Sequence, residues 1–142
     1  MALKMIQYGS KEYEQMVALR YQMLRKPLGL VFTDNELEKE KDNILLGCFD
    51  EDVLEGCCML VETNATEVRL RQMAVLYGLQ GKGVGRVLML FAENVARDRR
   101  YKKILMHSRV TSIPFFDKLG YLVKGDPFIE LTIEHVVMEK EL

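Results

Sequence analysis

Leu70-Arg71-Gln72-Met73-Ala74-Val75-Leu76-Tyr77-Gly78-Leu79-Gln80-Gly81-Lys82-Gly83-Val84-Gly85-Arg86-Val87-Leu88-Met89 decides the fold, because its hydrophobic period changes halfway along. In the first half, which belongs to a segment beginning at Glu67, Val68, Leu70, Gln72 and Ala74 fall on one face of an extended chain. Arg69, Arg71, Met73 and Val75 fall on the other, the alternation of a β-strand. In the second half Val84, Leu88, Phe91 and Val95 recur at helical spacing, so a helix with one buried stripe follows. The junction is Gln80-Gly81-Lys82-Gly83-Val84-Gly85. A helix start carries free backbone N–H groups and a partial positive charge. Glycines, lacking Cβ, let the chain take positive φ and let a ligand oxygen press against the backbone, so that successive N–H groups form a concavity for an anion.

Two phosphate loops are excluded by counting. A P-loop needs glycine five residues ahead of its Gly-Lys pair and Ser or Thr after it, whereas Leu76 precedes Gly81-Lys82 and Gly83 follows. A dinucleotide fingerprint opens with Gly81 and Gly83 but closes on Arg86, the third glycine arriving one residue early at Gly85. The pattern met is Q/R-x-x-G-x-G/A, by Gln80, Gly83 and Gly85.

Working outward, Leu3 to Tyr8 reads as a strand, and Ser10 offers an N-cap to an amphipathic helix over 11–25, ended by Pro27 and Gly29. Thr33 opens a polar helical stretch to Asp42, read as a solvated surface helix or lid. Ile44–Phe49 and Val53–Glu62 flank the turn Asp50-Glu51-Asp52 as a hairpin. After the loop helix, which ends in Arg97-Asp98-Arg99-Arg100, come a strand over 103–107, a short helix over 113–119 stopped by Gly120, and at least one closing strand within 128–142. This order fits a mixed α/β sheet with helices on both faces.

Composition narrows the class. A chain of 142 residues, 49% hydrophobic and 29% charged, is that of an ordered globular domain, with no repeat or linker to suggest a second. The expectation is one domain over residues 1–142. Twenty Lys and Arg against 21 Asp and Glu leave a net charge of −1, which gives no field toward nucleic acid or an anionic membrane. No run approaches the roughly 20 apolar residues of a membrane span, and no signal peptide opens the chain, so a cytoplasmic location is expected. Cys48, Cys57 and Cys58 have no partners at zinc spacing. No metal site is expected, and the thiols read as small core residues rather than as a nucleophile.

The stretch from Leu70 to Met89 resembles, over its whole length, the acetyl-CoA-binding motif of the GNAT superfamily of N-acyltransferases. Ile113-Pro114-Phe115-Phe116-Asp117-Lys118-Leu119-Gly120-Tyr121 is similar to that superfamily's other signature. The likeness is loose over the first 60 or so residues and close from Glu67 onward, and the ending from Gly125 is similar to a bacterial subgroup. It implies a twisted mixed sheet of about six to seven strands and transfer of acetyl from acetyl-CoA to an amine of a small molecule or protein. A coenzyme-binding sensor with little catalysis is the alternative. By the same resemblance, backbone groups of Met73, Ala74 and Val75 receive the pantetheine arm, with Phe116 alongside. The N–H groups from Gly81 through Lys82, Gly83, Val84 and Gly85 to Arg86 cradle the pyrophosphate, with Gln80 adding a donor and Lys82 a charge.

Transfer from a thioester needs a neutral amine, a polarised carbonyl and a proton for the departing thiolate. The family often supplies that proton from a tyrosine at the position of Phe116, which cannot do so; Tyr121 or water is the substitute. His107 and His135 are the candidate bases, imidazole being poised near neutrality, with Glu67 or ordered water as alternatives. Arg20, Arg25, Arg69 and Arg71 could line an acceptor pocket, and two of them converging would favour a carboxylate or phosphate on the amine. Neither a nucleic acid nor a membrane partner is expected, and the oligomer is left as monomer or homodimer.

Overall fold

The computed structural model describes residues 1–142. Seven strands form one sheet: β1 (Ala2–Ile6), β2 (Ile44–Asp50), β3 (Val53–Asn64), β4 (Glu67–Val75), β5 (Lys103–Arg109), β6 (Leu122–Glu130) and β7 (Ile133–Glu141). Their spatial order is β1-β2-β3-β4-β5-β7-β6. Every neighbouring pair is antiparallel except β4 and β5, which run parallel. That exception follows from connectivity: α3 (Val84–Asp98) carries the chain from the end of β4 back to the start of β5, as a parallel crossover must.

Each face of the sheet buries its own core. On one, Leu88, Met89, Ala92 and Ala96 of α3 pack with Leu60, Val68, Leu70, Ile104 and Met106. On the other, Tyr13, Met16 and Leu19 of α1 (Lys11–Arg20) pack with Leu45, Phe49 and Met59. Burying a Leu- or Met-sized side chain contributes about 1.5–3 kcal/mol, so these two stripes, read correctly as helical and strand periods, define the three layers. The short α4 (Ile113–Lys118) adds Phe116 to the α3 side.

The Tyr13 N–H donates to Ser10 Oγ at 3.1 Å, fulfilling the expected cap. The α-helix is shorter than 11–25, however, because Tyr21–Arg25 widens into a π turn. The Lys26 N–H reaches back five residues to the Tyr21 carbonyl, and Pro27 has no N–H with which to restore the α pattern. In the polar stretch only α2 (Asp34–Glu38) is helical, closed by a Thr33–Glu36 capping box.

The end of the chain holds two strands where one was required. β6 and β7 are joined by Leu131-Thr132, whose φ values of 51° and 64° are those of a type I′ turn. That turn is normally announced by Asn-Gly or Asp-Gly, and neither is present.

Candidate active site

β4 and β5 share a ladder only from Glu67–Lys103 to Leu70–Met106. Past Leu70 they part, and Gln72 marks the place: its φ is 55°, and the register between β3 and β4 slips there, a bulge that redirects the strand. The gap opens on a cleft of about 750 Å³ lined from both sheet faces.

The α3 side of the cleft carries the glycine loop. Gly83 is the N-cap of α3 with φ of 90°, and Gly81 has φ of 81°, a region a side chain rarely enters. The Val87 N–H makes the first helical bond, to the Gly83 carbonyl, so the N–H groups of Val84, Gly85 and Arg86 precede any helical acceptor. No side chain caps them and no acid lies in the first turn. A Cβ on Gly85 would stand 3.2 Å from Phe115 and 3.4 Å from Met73, so glycine keeps the cleft open between loop and α4. The same cleft is lined by Met73, Ala74, Val75, Gln80, Gly81, Gly83, Gly85, Arg86 and Phe116. The Val84 side chain turns into the core, leaving only its N–H for a ligand. Lys82 is exposed and has no polar side-chain partner.

Strand alternation assigns the opposite face. Leu70 and Met106, register partners, both enter the α3 core. Arg69, Arg71, His107 and Arg109 therefore project toward the α1 side, joined across the β5–β7 register by His135, the partner of Arg109. The π turn brings Met23, Leu24 and Arg25 to the same wall, and Glu130 and Leu131 close it.

The two histidines are held differently. His135 Nδ1 lies 2.8 Å from the Ile133 carbonyl. A carbonyl only accepts, so Nδ1 carries the proton and the neutral ring keeps its lone pair on Nε2. His107 Nδ1 lies 2.9 Å from Arg69 Nη2 and 3.2 Å from a Glu130 oxygen. Arginine only donates and a carboxylate only accepts, so Nδ1 is engaged on either side, as acceptor from Arg69 or, when protonated, as donor to Glu130. His107 also meets Phe128 edge-on at 5.1 Å, and Phe128 stacks on His135 at 6.1 Å.

Two expected site residues lie elsewhere. Arg20 is fully buried beneath α1, its guanidinium paired in two bonds of 2.8 and 2.6 Å with Glu40, which also accepts from the Tyr13 hydroxyl. It braces the polar stretch and cannot line an acceptor pocket, and Glu40 is no solvated surface acid. Tyr121 is fully buried in the α3 core, donating at 2.9 Å to Glu93, which also accepts from Lys140 at 3.1 Å. Burial, reinforced by Glu93, holds its phenol well above the ordinary range. It is absent from the cleft wall, so it is a core residue rather than the acid. Burial likewise pushes the Cys57 thiol up to about 12 and that of Cys58 higher still, which removes both as nucleophiles near neutral pH.

Arg109, Met23, Leu24 and Leu131 were not among the expected site residues. Arg109 stands two residues past His107, so extending the β5 alternation by one step would have found it. Leu131 depends on an unannounced turn and Met23 and Leu24 on the π turn, neither of which leaves a pattern.

Similarity to known proteins agrees with this geometry. Residues 13–142 match the family model described as an acetyltransferase (GNAT) domain. An uncharacterised N-acetyltransferase of Bacillus subtilis, YjcF, is 26% identical over 108 residues, covering 75% of each chain. The crystal structure of an acyl-CoA N-acyltransferase from Pseudomonas aeruginosa superposes with a TM-score of 0.83 at 16% identity, covering 98% of both chains. A GNAT acetyltransferase from Elizabethkingia anophelis with acetyl-CoA bound gives 0.76 at 15% identity, over 99% of this chain and 97% of that one. At these identities the two structures establish a shared fold.

Proposed function

The chain belongs to the GNAT acetyltransferase family, and from that premise we propose that it is a single-domain enzyme passing the acetyl group of acetyl-CoA directly to a primary amine bound beside it. The observation that carries the reading is the glycine-bounded start of α3, where three consecutive N–H groups without helical acceptors face a cleft that a Cβ on Gly85 would crowd. Those donors, with Gln80 and Arg86, suit a diphosphate. The unpaired edge of β4 past Leu70 supplies backbone groups of Met73 and Val75 for an amide-bearing arm, and Phe116 packs beside it. Lys82, free at the rim, adds charge toward phosphate.

The reaction is assigned to the α1-facing wall. His135 Nε2 takes the proton from the amine nitrogen as that nitrogen bonds to the thioester carbonyl carbon. A strand N–H from Met73 or Val75 holds the carbonyl oxygen as its negative charge grows. The carbon–sulfur bond breaks, and the thiolate, with Phe116 beside it in place of a phenol, takes its proton from water. His107, whose Nδ1 is held between Arg69 and Glu130, keeps that wall in place. Arg25 and Arg71 contribute to binding the acceptor. The buried free thiols fit a reducing compartment such as the cytoplasm, and no helix is long and apolar enough to cross a membrane.

Thermal unfolding with acetyl-CoA tests the cradle. At about 100 times its dissociation constant the ligand should add about 2.7 kcal/mol of stability. Gly83→Asp, which puts a carboxylate and a strained φ at the phosphate position, should abolish that gain, while Gly83→Ala, strained but uncharged, retains part of it. An unchanged gain in Gly83→Asp would mean that the loop holds no phosphate.

A further inference from the structure

Five arginines line the cleft, Arg25, Arg69, Arg71, Arg86 and Arg109, against one carboxylate, Glu130. Three of the five are engaged by neighbours or stand beside the cradle. Arg86 stands in the first turn of α3, beside the phosphate cradle. Arg25 bonds Glu36 at 3.0 Å and lies over the Phe32 ring at 4.2 Å. Arg69 is taken up by His107 at 2.9 Å and Glu130 at 3.8 Å. Arg71 and Arg109 have neither a hydrogen-bond acceptor nor an acid within ion-pair distance, and both are exposed. They flank the gap from its two sides. Arg71 follows the last β4–β5 rung, and Arg109 ends β5 opposite His135, both on the face away from α3.

We infer that the acceptor amine carries an anionic oxygen group, a carboxylate or a phosphate ester, and that Arg71 and Arg109 bind it on the α1-facing side of the gap. The inference rests on the acetyltransferase reading above and deepens it to a substrate class. Two guanidiniums without acid partners that line one cleft suit an oxyanion. The charge of Arg71 is felt inside the protein: the Arg69 guanidinium is held below its ordinary range first by burial and then by Arg71. The same field opposes an ammonium group nearby, and so favours the neutral, nucleophilic form of the incoming amine. A polycationic amine would meet this wall with repulsion.

The experiment uses the full chain, acetyl-CoA and matched amines: an amino acid against its amide, phosphoethanolamine against ethanolamine, and a polyamine. Release of free coenzyme A thiol reads turnover, and calorimetry with coenzyme A present reads acceptor binding where turnover is slow. In at least one pair the anionic member should be preferred by about tenfold or more, as a charged hydrogen-bonded contact provides, and that preference should weaken as salt is raised. The amino-acid and phosphate pairs tell carboxylate from phosphate. Arg71→Gln and Arg109→Gln should each collapse the preference toward parity while acetyl-CoA keeps its dissociation constant. Equal or better use of neutral amines or the polyamine overturns the inference, as does the absence of preferential binding in calorimetry. Loss of acetyl-CoA affinity in either variant also overturns it, by giving these arginines to the coenzyme. Failure of the acetyltransferase reading is seen separately, as no acetyl-CoA binding by the unaltered chain, and removes this inference with it.

Discussion

His135 keeps its Nδ1 proton on the carbonyl of Ile133, within its own strand, and this one contact distinguishes it from His107. A general base contributes typically 10²–10⁴-fold, so His135→Gln should lower kcat/KM by about that range with acetyl-CoA affinity retained, as steady-state thiol release and calorimetry would record. Tyr121→Phe provides the contrast. It removes one of the hydrogen bonds to buried Glu93 and should cost about 1–2 kcal/mol in denaturant unfolding, with turnover preserved. At this scale the glycines were legible in the sequence because a backbone requirement, positive φ or a close approach, is met far more readily by glycine than by any other residue. Arg20 and Tyr121 were not, because their partners Glu40 and Glu93 lie 20 and 28 residues away in the chain. Nothing local separates an arginine that lines a pocket from one that braces a loop.

Elements were legible where period and punctuation agreed. α3 and the extent of β4 follow from hydrophobic spacing, and α1 starts at its Ser10 cap. The bulge at Gln72, however, sends Ala74 to the α1-side core and Met73 and Val75 to the α3 side, the reverse of strict alternation. β6 escaped because its neighbour is reached through Leu131-Thr132, a turn made without the residues that turn prefers. An L-residue in the left-handed region costs roughly 1–2 kcal/mol, and β-branched Thr132 is poorly suited to it. Replacing the pair by Asn-Gly should therefore raise stability by about 1–2 kcal/mol, measured as a higher urea midpoint with unchanged slope. Since Leu131 also lines the cleft, the same variant removes that side chain from the wall and should alter acceptor KM. The π turn at Tyr21–Arg25 was hidden for a different reason. Its sequence continues the helical pattern, and only the missing N–H of Pro27 hints that the last turn must widen.

Across the whole molecule, burial of weak acids governs behaviour at high pH. The thiols of Cys57 and Cys58 ordinarily ionise near 9.0 and the phenol of Tyr121 near 10.0, and burial raises all three in the folded chain. The fold thus holds protons that the unfolded chain would release. Stability is fully present below about pH 9 and declines as pH rises toward the folded values, by about 1.4 kcal/mol per pH unit for each group in its window. Melting temperatures taken from pH 7 to 11 should be level at first and then fall steeply, and Cys58→Ser should make the fall shallower while Cys57 keeps the onset where it was. The architecture at this scale was legible as mixed strands with helices on both faces, whereas no spacing in the sequence announces the parting of β4 from β5. That parting leaves an edge strand in the middle of a sheet. It lies inside the sheet, between β3 and β5, unlike the outer edges that invite aggregation. In the function proposed above it takes the amide-bearing arm of the coenzyme. Deuterium should enter the β4 amides past Leu70 faster than those before it, and a bound coenzyme should slow that entry as an added strand would.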